Sequence, residues 1–159
     1  MLRFGLSEPD LPAQAGAIRK ATAVAKVAAA KILVIDDNAA VVDVLVTCLH
    51  QEGYKVSGAL TGEEGLKSFI LSRPDLVLLD VALAGGMDGV EVLKRIRLIN
   101  PAAKVVMVTG NSDATLARDT LERGALAYVD KPFDFAYLKR VVAMAFQTER
   151  AQPNEHSTG

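Results

Sequence analysis

Four short apolar runs in this chain each stop on a polar, reactive side chain, and that recurrence restricts the fold more than any other feature. Leu76-Val77-Leu78-Leu79 runs into Asp80, with Arg73-Pro74 ahead of it and a glycine-rich loop behind it. A run so short and continuous reads as a strand buried on both faces, the kind found in parallel sheets covered by helices on each side. Lys31 to Ile35 runs into Asp36-Asp37, Lys104 to Val108 into Thr109, and Ala125 to Val129 into Asp130-Lys131. If these strands are parallel, their carboxyl ends meet on one rim, where open α/β sheets bind ligands beside the reversal of strand order.

The intervening segments support that arrangement. After the first run, Asn38 is a helix cap, Val41, Val42, Leu45, Cys48 and Leu49 recur at helical spacing, and Gly53 is a stop. Tyr54 to Leu60 is a weaker strand; Thr61 and Glu64 have capping-box spacing before a helix through Leu66, Phe69 and Ile70. A helix through Val90, Leu93, Ile96 and Arg97 follows the Val81 to Gly89 loop, in which Asp88 reads as a turn former. Ser112 or Asn111 is expected to cap a helix holding Leu116 and Leu121, and Asp134 a last helix through Leu138, Val141, Val142 and Phe146. Strands joined by helical crossovers are parallel, and such crossovers are right-handed. The predicted class is α/β, in three layers.

At 159 residues with 50% hydrophobic composition, one domain with a sizeable core is expected. A formal net charge of −1 creates no field for nucleic acid or an anionic membrane. No apolar run approaches the roughly 18 to 20 residues of a membrane span, no secretion signal is evident, and Cys48 is the only cysteine, which together predict a cytoplasmic protein. Cys48 reads as inert core; His50 and His156 read as solvated. Residues 1–30 read as an extension, disordered over its first dozen residues and favouring helix from about Gln14, and either frayed or docked. Residues 149–159 read as a mobile tail.

The rim has a definite chemistry. Asp36, Asp37 and Asp80 would lie within a few ångströms of one another, and two carboxylates about 4 Å apart repel by roughly 4 kcal/mol at an effective dielectric near 20. Three together need a cation. Hard oxygen ligands with no His or Cys beside them suit Mg²⁺ and argue against zinc. Lys131 adds a positive charge and Thr109 a hydroxyl, which completes a cradle for a phosphoryl group, with Asp80 as the nucleophile that forms an acyl phosphate.

The acidic pair Asp36-Asp37, the strand-ending Asp80, Thr109-Gly110, and Lys131-Pro132 preceded by Tyr128 together resemble the receiver domain of two-component response regulators, over residues 31–148. The resemblance implies a (βα)5 flavodoxin-like sheet in strand order 2-1-3-4-5. It implies that Asp80 takes its phosphoryl group from a sensor histidine kinase or phosphotransfer protein, or from a small acyl phosphate. Asp37, Asp80 and the backbone carbonyl of Ala82 would bind Mg²⁺ directly, and Asp36 through water. Lys131 would pair with a phosphoryl oxygen, its bond to Pro132 being cis. Thr109 would move towards the phosphoryl group and let Tyr128 turn inward. The fourth helix, fifth strand and fifth helix would meet a downstream protein target, or a second copy in a homodimer.

The chain departs from the family pattern in the loop after Asp80, which lacks the proline that many receivers carry before a Met-Asp-Gly turn, and a looser loop is expected. Ala82 and Asn111 occupy positions that in the family tune hydrolysis, and Ala82 brings no side chain to an attacking water. The expectation is a stand-alone receiver that catalyses only its own phosphorylation and dephosphorylation, with no direct DNA contact. Gly85-Gly86 does not open a helix as a dinucleotide-binding fingerprint does, so nucleotide binding is not expected. One rival is a Mg²⁺-dependent aspartyl-phosphate phosphohydrolase, against which Asn38 stands where a second aspartate is needed. The other is a pseudo-receiver scaffold, against which the intact acids and Lys131 stand.

Overall fold

The computed structural model describes residues 30–110 and 113–147. The expectations for the amino-terminal extension, for Asn111 and Ser112, for His156 and for the polar tail therefore lie outside the described residues.

Strand and helix alternate from first to last: β1 (Lys31–Ile35), α1 (Ala39–Gln51), β2 (Lys55–Ala59), α2 (Gly62–Ser72), β3 (Leu76–Leu79), α3 (Gly89–Ile99), β4 (Val105–Thr109), α4 (Ala114–Glu122), β5 (Ala127–Asp130) and α5 (Phe135–Gln147). The strands form one parallel sheet in the order β2-β1-β3-β4-β5, the α/β flavodoxin-like arrangement expected. The order reverses between β1 and β3, where Ile35 pairs with Leu79.

Side-chain alternation along β3 divides the interior in two. Leu76 and Leu78 join a cluster with Leu45 and Leu49 of α1 and Leu138 and Val142 of α5. Val77 and Leu79 join the other, with Phe69 of α2 and Val92, Leu93 and Ile96 of α3. All four β3 side chains are fully buried, which is why β3 is apolar throughout while the edge strand β2 exposes Lys55, Ser57 and Gly58.

The caps explain most helix boundaries. Asn38 accepts hydrogen bonds from the amides of Ala40 and Val41, Thr61 from that of Glu64, and Asp134 from that of Ala136. Gly53 and Gly124 take positive φ after α1 and α4. Several details depart from expectation. Glu64 reaches back to the amide of Leu60, one residue before the cap. α4 is capped by Asp113, whose carboxylate accepts from Thr115. Asp88 is the cap of α3, accepting from Glu91, rather than a simple turn former. Ile70 and Leu121 point outwards: α2 buries Gly62, Gly65 and Phe69, and α4 buries Thr120. Cys48 is half-buried, and His50 is exposed as expected. No helix among the described residues is long and apolar enough to cross a membrane.

Candidate functional site

Parallel pairing delivers the acidic residues to one place. The Asp80 amide donates to the carbonyl of Ile35 at 2.9 Å, so the first residue after β3 lies beside the first after β1. One carboxylate oxygen from each of Asp36, Asp37 and Asp80 falls within 4.8 Å of the others. Asp36 is 3% exposed and Asp80 6%, whereas Asp37 faces solvent. Three hard oxygen donors, two sheltered and one open, fit a divalent cation that keeps part of its water, and no softer ligand stands among them.

Backbone amides hold these carboxylates in place. Asp36 Oδ1 accepts from Asn38 at 2.9 Å, Asp80 Oδ1 from Ala82 at 3.1 Å, and Asp37 Oδ2 from Ala84 at 3.1 Å. The amides of Ala82 and Ala84 come from the loop after β3, and that loop is pinned rather than loose. Val81, Leu83 and Met87 are buried, and Gly89 and Leu83 both donate to the carbonyl of Val81. Apolar side chains at three loop positions anchor it without a proline, so the looser loop expected from the missing proline is not what the structure has.

Lys131 reaches the same spot from the end of β5. Its Nζ donates to Asp36 Oδ2 and lies 3.3 Å from Asp80 Oδ2. Burial drives the Asp36 carboxyl above the usual carboxylate range, opposed by the hydrogen bonds from Lys131 and Asn38 and reinforced by the charge of Asp80. Burial alone would lower the Lys131 ammonium, but its hydrogen bond and charge interaction with Asp36, together with Asp80, carry it above its ordinary value. The Lys131-Pro132 bond is cis, as expected.

Thr109 ends β4 fully buried, and its carbonyl accepts from the Lys131 amide at 2.8 Å, tying the two strand ends together. Tyr128, in register with Met107, is half-buried on the α2/α3 side of the sheet, against the cluster that Leu116 of α4 also joins. Ala82 is exposed at the mouth of the site. Thus Asp36, Asp37, Asp80 and Lys131 form one cluster, with Thr109 bonded to it through the backbone.

Sequence reading passed over two contributors. Ala84 supports Asp37 through its amide alone, which leaves no trace in residue type. Gly89 touches the backbone of the site: a Cβ there would come within 2.0 Å of the Asp80 carbonyl oxygen. A glycine directly after a cap residue was the available signal.

Comparison with known proteins gives a consistent picture. The family model described as "Response regulator receiver domain" matches residues 32–143. Sporulation initiation phosphotransferase F of Bacillus subtilis is 36% identical over 112 residues, which cover 70% of this chain and 90% of that protein. Transcriptional regulatory protein ZraR of Escherichia coli is 37% identical over 126 residues, 79% of this chain but only 27% of its own length. The crystal structure of a CheY-like response regulator receiver domain protein from Methanospirillum hungatei superposes with a TM-score of 0.71 at 31% identity, covering 77% of this chain and 98% of that one.

Proposed function

This chain belongs to the receiver domains of two-component response regulators, and from that membership we propose that Asp80 is its phosphoacceptor. The observation that carries this reading is the position of the Asp80 carboxylate. It lies at the reversal of strand order, sheltered, 3.3 Å from the Lys131 ammonium and grouped with two further carboxylates.

In the proposed reaction a carboxylate oxygen of Asp80 attacks the phosphorus of a phosphohistidine on a sensor kinase or phosphotransfer protein. An O–P bond forms as the P–N bond breaks, and the departing imidazole keeps the electron pair. A small acyl phosphate would donate in the same way with an oxygen leaving group. Lys131 now neutralises Asp36 and Asp80, and it would follow the negative charge onto the phosphoryl oxygens. Asp37 and Asp80, the backbone carbonyl of Ala82 and, through water, Asp36 would hold Mg²⁺. When bound, that ion supplies the neutralisation that lets an anionic donor approach three acids.

The output follows from what Thr109 and Tyr128 adjoin. The Thr109 hydroxyl would turn to the phosphoryl group and Tyr128 would move into the space it leaves, altering the face made by α4, β5 and α5. That face would meet a downstream protein or a second copy of the chain. The reaction is the protein's own phosphorylation and dephosphorylation, carried out in the cytoplasm.

The test is to treat the full chain with Mg²⁺ and a small acyl phosphate or beryllofluoride and to map the adduct by mass spectrometry. Attachment at Asp80, lost in Asp80→Asn, is the expected result. Attachment at Asp36 would make the protein a phosphohydrolase, and no attachment a scaffold.

A further inference from the structure

We propose that the groove between the carboxyl-terminal ends of α2 and α3 binds a free α-amino acid with an apolar side chain, its carboxylate on Arg73 and its ammonium on Asp75. The groove lies at the amino-terminal ends of β1 and β3, away from the acidic rim at their carboxyl ends. The inference therefore does not depend on the phosphoacceptor reading.

The groove is a cavity of about 520 Å³, within the range of small-molecule pockets. Phe69 and Ile70 of α2 and Ile99 of α3 give it apolar walls, and Arg73, Asp75 and Asn100 bring polar groups to it. Phe69 is buried, whereas Ile70 and Ile99 stay 56% and 50% exposed. A ligand that covers them removes apolar surface from water.

Arg73 and Asp75 carry opposite charges two positions apart, yet among the described residues neither forms an ion pair, with the other or with any third group. The backbone keeps them separate. Asp75 Oδ2 accepts from the Lys31 amide at 2.8 Å, and the Asp75 amide donates to the Lys31 carbonyl at 2.8 Å, which fixes this carboxylate against the start of β1. Arg73 has φ 49° and ψ 64°, alone among the described non-glycine residues in taking positive φ. After α1 and α4 the same role falls to Gly53 and Gly124. Glycine would end α2 without the steric cost that an L-residue pays there, and arginine brings a guanidinium to the cavity instead. Backbone strain of this kind gathers where a side chain serves a ligand.

An apolar amino acid matches this set of groups. Its carboxylate can accept two bonds from the guanidinium. Its ammonium can donate to the Asp75 oxygen that Lys31 leaves unused, and its side chain covers Phe69, Ile70 and Ile99. Asn100 Oδ1 is taken by the Ala102 amide at 3.0 Å, which leaves Nδ2 as a further donor to the carboxylate. A plain carboxylate would face Asp75 and a plain amine would face Arg73, so a ligand that carries both charges fits where neither of these does.

Titration of the full chain with L-leucine, followed through amide chemical shifts, tests this. Saturable shifts are expected at Ile70, Arg73, Asp75, Ile99 and Asn100. Isocaproate, which lacks the ammonium, and isoamylamine, which lacks the carboxylate, should each bind at least about tenfold more weakly, since each forgoes a charge-assisted bond. Arg73→Gly should reduce leucine to the affinity of isoamylamine while leaving the urea midpoint no lower, because glycine takes positive φ without strain. Asp75→Asn, whose amide oxygen can still accept from Lys31, should reduce leucine to the affinity of isocaproate. No saturable shift at the groove, equal binding of the three probes, or leucine binding that is unchanged in either variant overturns the proposal.

Discussion

Gly89 and Asp80 are in backbone contact across the mouth of the site: a Cβ built on Gly89 would stand 2.0 Å from the Asp80 carbonyl oxygen and 2.7 Å from Val81 Cα. Neither atom can rotate aside, because Asp80 is bonded to Ile35 and Val81 to Gly89 itself. Gly89→Ala should therefore behave as an overpacked core substitution and cost ~2 kcal/mol. A lower urea midpoint with unchanged slope would register that cost. Because the displaced backbone carries the Asp80 carboxylate, one of the three acids grouped at the rim, Mg²⁺ affinity should fall as well. Unaltered stability and unaltered Mg²⁺ binding together would show that the loop yields without disturbing Asp80.

Lys131 and a bound divalent cation make opposite demands on the same oxygens. The Lys131 ammonium neutralises Asp36 and Asp80, so Lys131→Ala leaves an almost fully buried carboxylate uncompensated. Breaking a fully buried pair costs about 3–5 kcal/mol; Lys131 is 20% exposed, so a loss of roughly 1–3 kcal/mol is expected here. Removing a competing positive charge should at the same time tighten Mg²⁺ binding, by roughly tenfold, equivalent to about 1.4 kcal/mol. Isothermal titration with Mg²⁺ alongside urea unfolding reads both effects. Phosphorylation should fall despite the tighter metal, and weaker Mg²⁺ binding in the variant would contradict this assignment of roles.

Much of this site was legible because a parallel sheet turns strand order into spatial order. Once β1, β3, β4 and β5 are recognised from their apolar runs, the residue following each has little freedom in where it goes. Asp36, Asp37, Asp80 and Lys131 came together for that reason. What escaped reading depended on the backbone or on the facing of individual residues. Asn111, Ser112 and Asp113 are all competent caps, and residue type does not say that Asp113 closes the turn. Ile70 and Leu121 have the right spacing for a core, but Gly65 takes the buried position on α2 because Ile35 leaves no room for more, a Cβ there meeting Ile35 Cδ1 at 2.5 Å. The loop after Asp80 read as loose for want of a proline, and the burial of Leu83 and Met87 holds it.

Two phenols should titrate late. Burial, followed by the charge of Glu52, pushes Tyr54 above the ordinary value near 10, and Tyr128 is raised by burial and then by Asp130, Asp113 and Asp80. A raised folded-state value means that the native protein keeps its proton where the unfolded chain has lost it. The stability involved is fully present below about pH 10 and declines as pH climbs through the folded-state values. Absorbance of the phenolate should show late components that disappear one at a time in Tyr54→Phe and Tyr128→Phe. Neutralising position 80 with Asp80→Asn should move the Tyr128 component down and leave that of Tyr54 in place.

Of the five helices among the described residues, α4 is the least anchored. Thr120 is its one buried residue among nine, and its hydroxyl is already satisfied by the carbonyl of Ala117 at 2.9 Å. The start of α4 rests on the Asp113 carboxylate, which accepts from Thr115 at 2.8 Å. Removing such a cap costs about 1 kcal/mol, and on an element with so little buried surface that cost should appear as local opening. Hydrogen exchange of the α4 amides in Asp113→Ala should quicken by roughly fivefold, the counterpart of about 1 kcal/mol, while α1 and α3 exchange at their former rates. Thr120→Val should leave α4 exchange nearly unchanged, since it exchanges a satisfied hydroxyl for a methyl of similar size. A helix held this lightly, beside Tyr128, is one that a modest change at the acidic rim can shift. Equal acceleration in every helix would mean that α4 opens only with the whole fold and has no independent movement to offer a partner.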